Sequence, residues 1–432
     1  MLKSLTLQNV GPAPELQVDF GPRLNLLTGD NGLGKSFLLD IAWWSLTRRW
    51  PTDLNPKVAS GYPARPQPGK PATIQFEFTT KTKKVEKYSS TFDRAEQSWT
   101  GRAGRPSNPG LVLYAQVDGS FAVWDPARNY WKKKGDIDVQ ERQPAYVFSP
   151  QEVWEGLKNE RGAWLCNGLI RDWASWQRED GPAFKILQAV VQALAPEGER
   201  FTIGALTRIG IDDARDIPTL KMPYGEETPV LFASAGVRRV IALAYLLVWT
   251  WTEHAQACKL LGESPTRQVV FLVDGIEAHL HPRWQRSVVS ALLKVVGHLA
   301  AKAQVQLIAA THSPLVMVSA ESTFDPAQDA WLDLDLVRQP GEAKSTVVLT
   351  RRPWVRQGEA SGWLMSEAFD MATQRSVEAE QVLADAAVAM SDPGLSKQRA
   401  RNLQKRLAAV LSDTDPMWLR WRHVADKRGW LE

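Results

Sequence analysis

An α/β fold built on a parallel sheet is predicted by three stretches of this 432-residue sequence. Leu24 to Leu27 read as a strand, Gly29-Asp30-Asn31-Gly32-Leu33-Gly34-Lys35-Ser36 as a glycine-rich loop, and Phe37 to Ala42 as a helix. Val269 to Val273 are five apolar residues that end at Asp274. A third strand, Val305 to Ala310, runs into Thr311-His312-Ser313-Pro314. Largely unbroken apolar runs suit strands covered on both faces, and the carboxyl ends of such strands are where these sheets place ligand chemistry.

The glycine-rich loop is a full G-x-x-x-x-G-K-S match, and it stands between a strand and a helix as that motif requires. Glycines at 29, 32 and 34 let backbone amides approach phosphate oxygens, with Asn31 at the apex and Phe37 opening the helix. Lys35 adds a positive charge near the terminal phosphates, and the Ser36 hydroxyl can reach Mg²⁺. Asp274, delivered by its own buried strand, is the second candidate Mg²⁺ ligand. The alternative is a glycine-rich turn arisen by chance, and the flanking elements argue against it.

Composition sets the outer limits. An apolar fraction of 44% and a charged fraction of 23% are those of an ordinary globular protein, with length for two or three domains. The net charge of +4 neither demands nor excludes nucleic acid. Cys166 and Cys258 lie far apart with no metal-type spacing, which fits a reducing cytoplasm. No signal core and no long uncharged apolar window is present, so neither export nor a membrane span is expected. Nineteen tryptophans are unusual for this length. Trp154, Trp164, Trp173 and Trp176 fall in one helical-looking stretch, and Trp249 and Trp251 end another. Core anchoring is the main reading, base stacking or a partner surface the sharper one.

Four segments follow along the chain. Residues 1–150 read as the phosphate-binding loop with a β-rich lobe, in which Thr73 to Phe78, Leu111 to Tyr114 and Phe121 to Trp124 are strands. Residues 151–230 read as a helical insertion, entered through Tyr146-Val147-Phe148 and Ser149-Pro150-Gln151. Residues 231–350 carry Phe232-Ala233-Ser234-Ala235-Gly236-Val237, which opens an apolar helix from Val240 to Trp251, followed by the Asp274 and His312 strands. A small-residue turn at a helix N-terminus is an anion site by dipole, or simply an N-cap at Ser234. Residues 351–432 read as a helical, basic segment, with helices over Trp363 to Met390 and Ser396 to Leu411. Its basic residues, Arg399, Arg401, Lys405 and Arg406 and then Arg420, Arg422, Lys427 and Arg428, make a solvated face or a contact for nucleic acid or an acidic partner.

Taken together, these motifs resemble the ABC-type ATPases of the RecF/SMC-like branch, and more closely the single-chain bacterial ATPases called AAA_15 or AAA_21. That group includes the ATPase subunits of Septu-type and retron-linked antiphage systems. The likeness spans most of residues 1–350 and rests also on FSPQEVWEGL, PYGEETPVLFASAGVRR and EAHLHPRWQR. It implies an ABC-type P-loop ATPase head with ATP and Mg²⁺ as cofactors. Gln151 falls where the family has a glutamine that touches Mg²⁺ or the attacking water, and His312 matches its γ-phosphate-sensing histidine. Ser234 and Gly236 match a signature that acts in trans on ATP held by a second copy, so an ATP-dependent head-to-head dimer is implied. A separate effector, a nuclease such as an HNH protein, is the implied partner. Asp333 and Asp335 form a D-x-D that reads as strand-end decoration, not as a nuclease centre of this chain. His279 and His281 match a structural HLHP turn of the family and not a metal site.

One position departs from the pattern. Relatives carry Asp-Glu where this chain has Asp274-Gly275, and Gly275 has no side chain to orient a water for attack on the γ-phosphate. Glu277 could substitute only if the turn folds back, and the family's acid at this position implies another duty for it. Binding is expected to survive and hydrolysis to be slow. Three functions compete: a cytoplasmic ATP-gated regulator of an effector, an ATP-bound scaffold that never turns over, and a clamp on DNA.

Overall fold

The computed structural model describes residues 1–101, 104–195, 201–299, 303–338 and 345–430. The chain divides into two units, 1–363 and 364–432.

The first unit is centred on an eight-stranded sheet. Its order is Tyr146–Phe148, Phe121–Trp124, Leu111–Ala115, Gln268–Val273, Gln304–Ala310, Leu24–Gly29, Ala330–Val337 and Thr346–Arg352. The five strands from Leu111–Ala115 to Ala330–Val337 run parallel, so their carboxyl ends share one edge. Register fixes that edge: Val273 lies between Ala115 and Ala309, and Ala310 lies beside Leu27. The parallel α/β head expected from the sequence is therefore present, with its ligand-bearing ends aligned.

A second, antiparallel sheet is ordered Glu15–Asp19, Leu2–Gln8, Thr73–Thr79, Val85–Asp93, Ser98–Trp99. The helix Lys35–Thr47 shares one apolar core with residues of both sheets. Leu38, Leu39, Ile41, Ala42, Trp43, Trp44 and Leu46 are all buried, so the helix is apolar over most of its circumference, as one packed between sheets must be. The strands at Leu111 and Phe121, expected in the β-rich lobe, belong to the main sheet instead. All five residues of LVLYA are buried, the pattern of a strand covered on both faces, whereas TIQFEFT alternates and lies in the lobe.

The segment 151–230 is less helical than its composition suggests. Helices Pro150–Glu155, Leu169–Glu179 and Pro182–Leu194 alternate with a hairpin, Leu157–Lys158 with Trp164–Cys166, and a three-stranded sheet of Thr202–Thr207, Ile217–Lys221 and Glu227–Pro229. Gly156 and Gly168 break the helical reading: a Cβ on Gly168 would lie 2.3 Å from the Gly156 nitrogen, so the two backbones touch. Trp164 consequently sits half-exposed in the hairpin, between Lys158 and Arg171, while Trp173 is fully buried.

The long helix, Ala235–Leu261, runs ten residues past Trp251. His254 and Cys258 continue its buried stripe although His254 is polar. The imidazole is accommodated because Nδ1 bonds Asp125 at 2.7 Å and Nε2 accepts the Thr266 amide at 2.9 Å. Asp333, one of the two aspartates of the D-x-D, is buried, bonded by the Thr28 hydroxyl at 2.7 Å and by Arg352 at 3.2 Å. It ties strands together from within Ala330–Val337, a buried interior position where strand-end decoration was the expectation.

Among its described residues the second unit holds the helices Val377–Ser391, Lys397–Val410 and Met417–Lys427, around Val382, Ala386, Leu403, Leu407 and Trp421. The helix expected from Trp363 begins only at the Ser376 N-cap, whose side chain accepts the Ala379 amide. Among the described residues, no helix is long and apolar enough to cross a membrane.

Candidate nucleotide-binding site

The loop between Leu24–Gly29 and Lys35–Thr47 is shaped by its glycines. Gly29 has φ +121°, and a Cβ there would stand 2.1 Å from the Leu334 carbonyl oxygen, so the neighbouring strand admits only glycine. The helix starts at Gly34, which has no side chain to cap it, leaving the first amides open toward an anion. Asn31 and Gly32 are exposed at the apex. The Phe37 side chain packs against Gly11 and the core. Lys35 is buried, its ammonium donating to the carbonyls of Gly29 at 2.6 Å and Asp30 at 2.8 Å. Burial pushes its pKa down to about 8, partly opposed by Asp274, Asp30 and Glu277.

Asp274 leaves the end of Gln268–Val273 and is buried. Burial raises its carboxyl above the usual range, opposed first by a hydrogen bond with the Ser36 side chain. Its Oδ2 has no hydrogen-bond partner among the described residues. Beside it, Gln116 follows the neighbouring strand Leu111–Ala115; it too is fully buried, and neither polar atom of its amide has a partner among the described residues. Orphaned buried oxygens on adjacent strand ends, next to a serine hydroxyl, are the donor set of a hard cation that keeps several waters. Ser36, Asp274 and Gln116 therefore fit Mg²⁺.

Gln116 was not singled out from the sequence, yet LVLYA-Gln116 repeats the pattern of VVFLV-Asp274: five apolar residues, then one polar. Gln151 lies elsewhere. It is exposed on the first turn of Pro150–Glu155, after a strand three places from that of Asp274, which is roughly 14 Å across the sheet. Two further residues join the site unannounced. Arg239 donates to the Gln116 carbonyl at 2.6 Å, and burial lowers its pKa against the pull of Asp118 and Asp274. Asp40, one turn beyond Ser36, accepts from the Tyr114 hydroxyl at 2.9 Å; burial pushes it up to about 7.

Gly275 adopts φ +57°, and a Cβ there would meet the Val117 Cγ2 at 2.9 Å. Glu277 turns toward the third strand end: its Oε2 accepts the Thr311 hydroxyl and its Oε1 the His312 amide, both at 2.7 Å. Both oxygens are thus engaged. His312 is held at the same edge, its pKa lowered by burial and then by Lys35. Thr311 bonds back to the loop strand, amide to Leu27 carbonyl at 3.0 Å.

Ser234 caps the long helix by accepting the Val237 amide, and remains exposed. Gly236 packs on the 279–281 turn, where a Cβ would lie 2.6 Å from the His279 carbonyl oxygen. The two residues border an open groove of about 750 Å³ with His279 and His281. His281 Nδ1 accepts the Arg283 amide, and among the described residues no cluster of three or more His, Cys, Asp or Glu could hold a metal. The structure thus gathers the loop, Lys35, Ser36, Asp274, Glu277 and His312 at one sheet edge, and sets Ser234 and Gly236 on a separate groove.

The chain is 25% identical over 244 residues to the "Retron Vc95 probable ATPase" of Vibrio cholerae serotype O1 biovar El Tor, covering 56% of this chain and 41% of that protein. It is 20% identical over 332 residues to "Septu protein PtuA" of Bacillus thuringiensis, covering 74% of each. The chain thus spans less than half the length of the retron relative. Among solved structures, the SMC head domain from Thermotoga maritima aligns over 82% of this chain and 99% of its own, at 13% identity and TM-score 0.38. An SMC head bound to the C-terminal winged-helix domain of ScpA aligns over 81% and 97%, at 14% identity and TM-score 0.41. Residues 24–319, well over half the chain and the whole of the site described above, match the AAA_21 family, "AAA domain, putative AbiEii toxin, Type IV TA system", and the chain belongs to that family.

Proposed function

We propose that this chain binds ATP with Mg²⁺ at the Gly29–Ser36 loop, assembles head-to-head around it, and acts as a slow ATP-gated switch on a separate effector. The carrying observation is the convergence of Lys35, Ser36 and Asp274, with its orphaned Oδ2, beside a Gly275 that offers no group to a water. Lys35 and the loop amides bind the phosphates, while Ser36, Asp274 and Gln116 hold the cation, which neutralises charge on the phosphate oxygens. Gln116 takes the role first expected of Gln151, because it stands beside Asp274. His312 reports the terminal phosphate to the rest of the chain. Glu277 has a holding role between two strand ends instead of acting as base.

In the assembled state, Ser234 and Gly236 of one copy face the nucleotide held by the other. The names of the relatives, a retron ATPase and a Septu protein, support a place in antiphage defence with a nuclease, such as an HNH protein, as effector. That part rests on likeness alone. A permanent ATP-bound scaffold is the second reading, favoured by Gly275. Mass by light scattering, with and without ATP and Mg²⁺, tests the assembly. A doubling of mass that Ser234→Arg abolishes supports it, and an unchanged monomer mass with saturating ATP contradicts it.

A further inference from the structure

Four of the nineteen tryptophans, Trp44, Trp99, Trp124 and Trp131, line one cavity of about 460 Å³ far from the phosphate loop. Close-packed cores leave few voids larger than a water, whereas this volume lies in the range of small-ligand sites. These rings are not loosely placed. Trp44 is stacked on Trp50 at 5.3 Å, and Trp99 donates Nε1 to the Ala64 carbonyl at 3.0 Å, which fixes its plane. Trp124 meets Tyr130 edge to face at 6.1 Å. Trp44 and Trp124 are buried, so the aromatic surface open to the cavity is that of the half-buried Trp99 and Trp131.

Three guanidinium groups, Arg48, Arg49 and Arg105, line the same cavity with one carboxylate, Glu86; Arg105 is paired with Asp138 at 3.2 Å and Glu86 with Lys84 at 3.0 Å. Arg48 lies over the rings of Phe76 at 4.2 Å, Tyr88 at 4.5 Å and Trp44 at 5.1 Å. A guanidinium held on aromatic faces is weakly hydrated, and the guanidinium group is one that recognises phosphate. Aromatic faces with guanidinium groups beside them match a ligand with a flat ring system and a phosphate. Surface arginines alone would favour any anion, and tryptophans alone any apolar ring; their convergence selects both features in one molecule.

We propose that this cavity is a second ligand site, for a nucleobase carrying a phosphate, supplied either by a free mononucleotide or by the end of a nucleic-acid strand. The cavity touches the far end of the helix whose first turn carries Lys35, since Trp44, Arg48 and Arg49 follow Lys35 by 9 to 14 residues, at most roughly 20 Å. Occupancy there and occupancy at the phosphate loop therefore bear on one rigid element, and any coupling between them is reciprocal.

The test uses Lys35→Ala protein, so that the phosphate loop is disabled, titrated by calorimetry with AMP, GMP, CMP and UMP and with a short 5′-phosphorylated single-stranded DNA. Binding of at least one probe at one site per chain, weakened at least about fivefold by Trp131→Ala and by Arg105→Ala, is the expected result. A mononucleotide that binds identifies the free nucleotide as source, and binding of the oligonucleotide alone identifies a strand end. Arg105 lies on the exposed rim, paired with Asp138 at 3.2 Å and over the Tyr130 ring at 5.5 Å, and a melting curve of the variant checks that it folds. No heat from any probe at millimolar concentration overturns the proposal, as does binding that both variants leave unchanged.

Discussion

The Glu277 carboxylate clasps the segment that carries His312, one oxygen on the His312 amide and the other on the Thr311 hydroxyl, each at 2.7 Å. The turn after Asp274 is thereby fastened to the neighbouring strand end. Glu277→Ala removes both acceptors and is expected to cost about 1–2 kcal/mol, and Glu277→Gln, which keeps one acceptor, roughly half of that. Denaturant unfolding of the three proteins measures it. Equal stability in all three would show that the clasp contributes nothing.

Nucleotide affinity is expected to weaken as pH rises through about 8. In the free protein burial brings Lys35 down to that value, so above it the loop lysine is increasingly neutral. A bound triphosphate favours the charged form, and binding above pH 8 must then take up a proton, at a cost of up to about tenfold per pH unit. Calorimetry at pH 8.5 in two buffers of different ionisation enthalpy measures the uptake. Identical heats in both would refute it.

Restoring a glutamate at 275 is expected to raise turnover by about a hundredfold or more, since water-positioning acids contribute on that scale. The change has a structural cost. A side chain at φ +57° is strained by about 1–3 kcal/mol, and its Cβ meets Val117. Val117 is an exposed residue, and Val117→Ala in the Gly275→Glu background relieves the contact. Phosphate release measured for wild type, single and double variants separates the two effects. Turnover no higher than wild type in the folded double variant would mean that the rest of the site is not competent.

Asp40 gives a stability signature. Its folded pKa, about 7, lies above the ordinary carboxyl value of 3.8, so the native chain keeps a proton that the unfolded chain releases. Stability is then lost as pH climbs from about 4 to about 7. Asp40→Asn keeps an acceptor for the Tyr114 hydroxyl without the charge. It is expected to melt above wild type at pH 8 and to converge with it only as pH falls to about 4. A constant difference at both values would contradict the assignment.

Much of the head was legible in the sequence because its strands announce themselves by unbroken apolar runs that end in a polar residue. Asp274 follows directly from that rule, the phosphate loop from its G-x-x-x-x-G-K-S match, and His312 from the family likeness. Gln116 obeys it too, but the family likeness points to Gln151, which follows a strand three places away, and sheet order is not written in any local pattern. The strand Leu111–Ala115 was placed in the lobe for the same reason: its neighbour, Gln268–Val273, lies more than 150 residues later. The helical reading of 151–195 failed where Gly156 and Gly168 bring two backbones together, a tertiary contact that helical periodicity does not register. The clasp of Glu277 was inferable only as some duty other than catalysis.

The central claim is that nucleotide binding survives while hydrolysis is crippled at Gly275. It is tested most directly by measuring ATP affinity and phosphate release on one purified sample with Mg²⁺, with Lys35→Ala as the blank. Lys35-dependent binding with release barely above the blank is the result expected of a slow switch. Rapid, Lys35-dependent release would contradict it, and would mean that a group other than a residue at 275 positions the water.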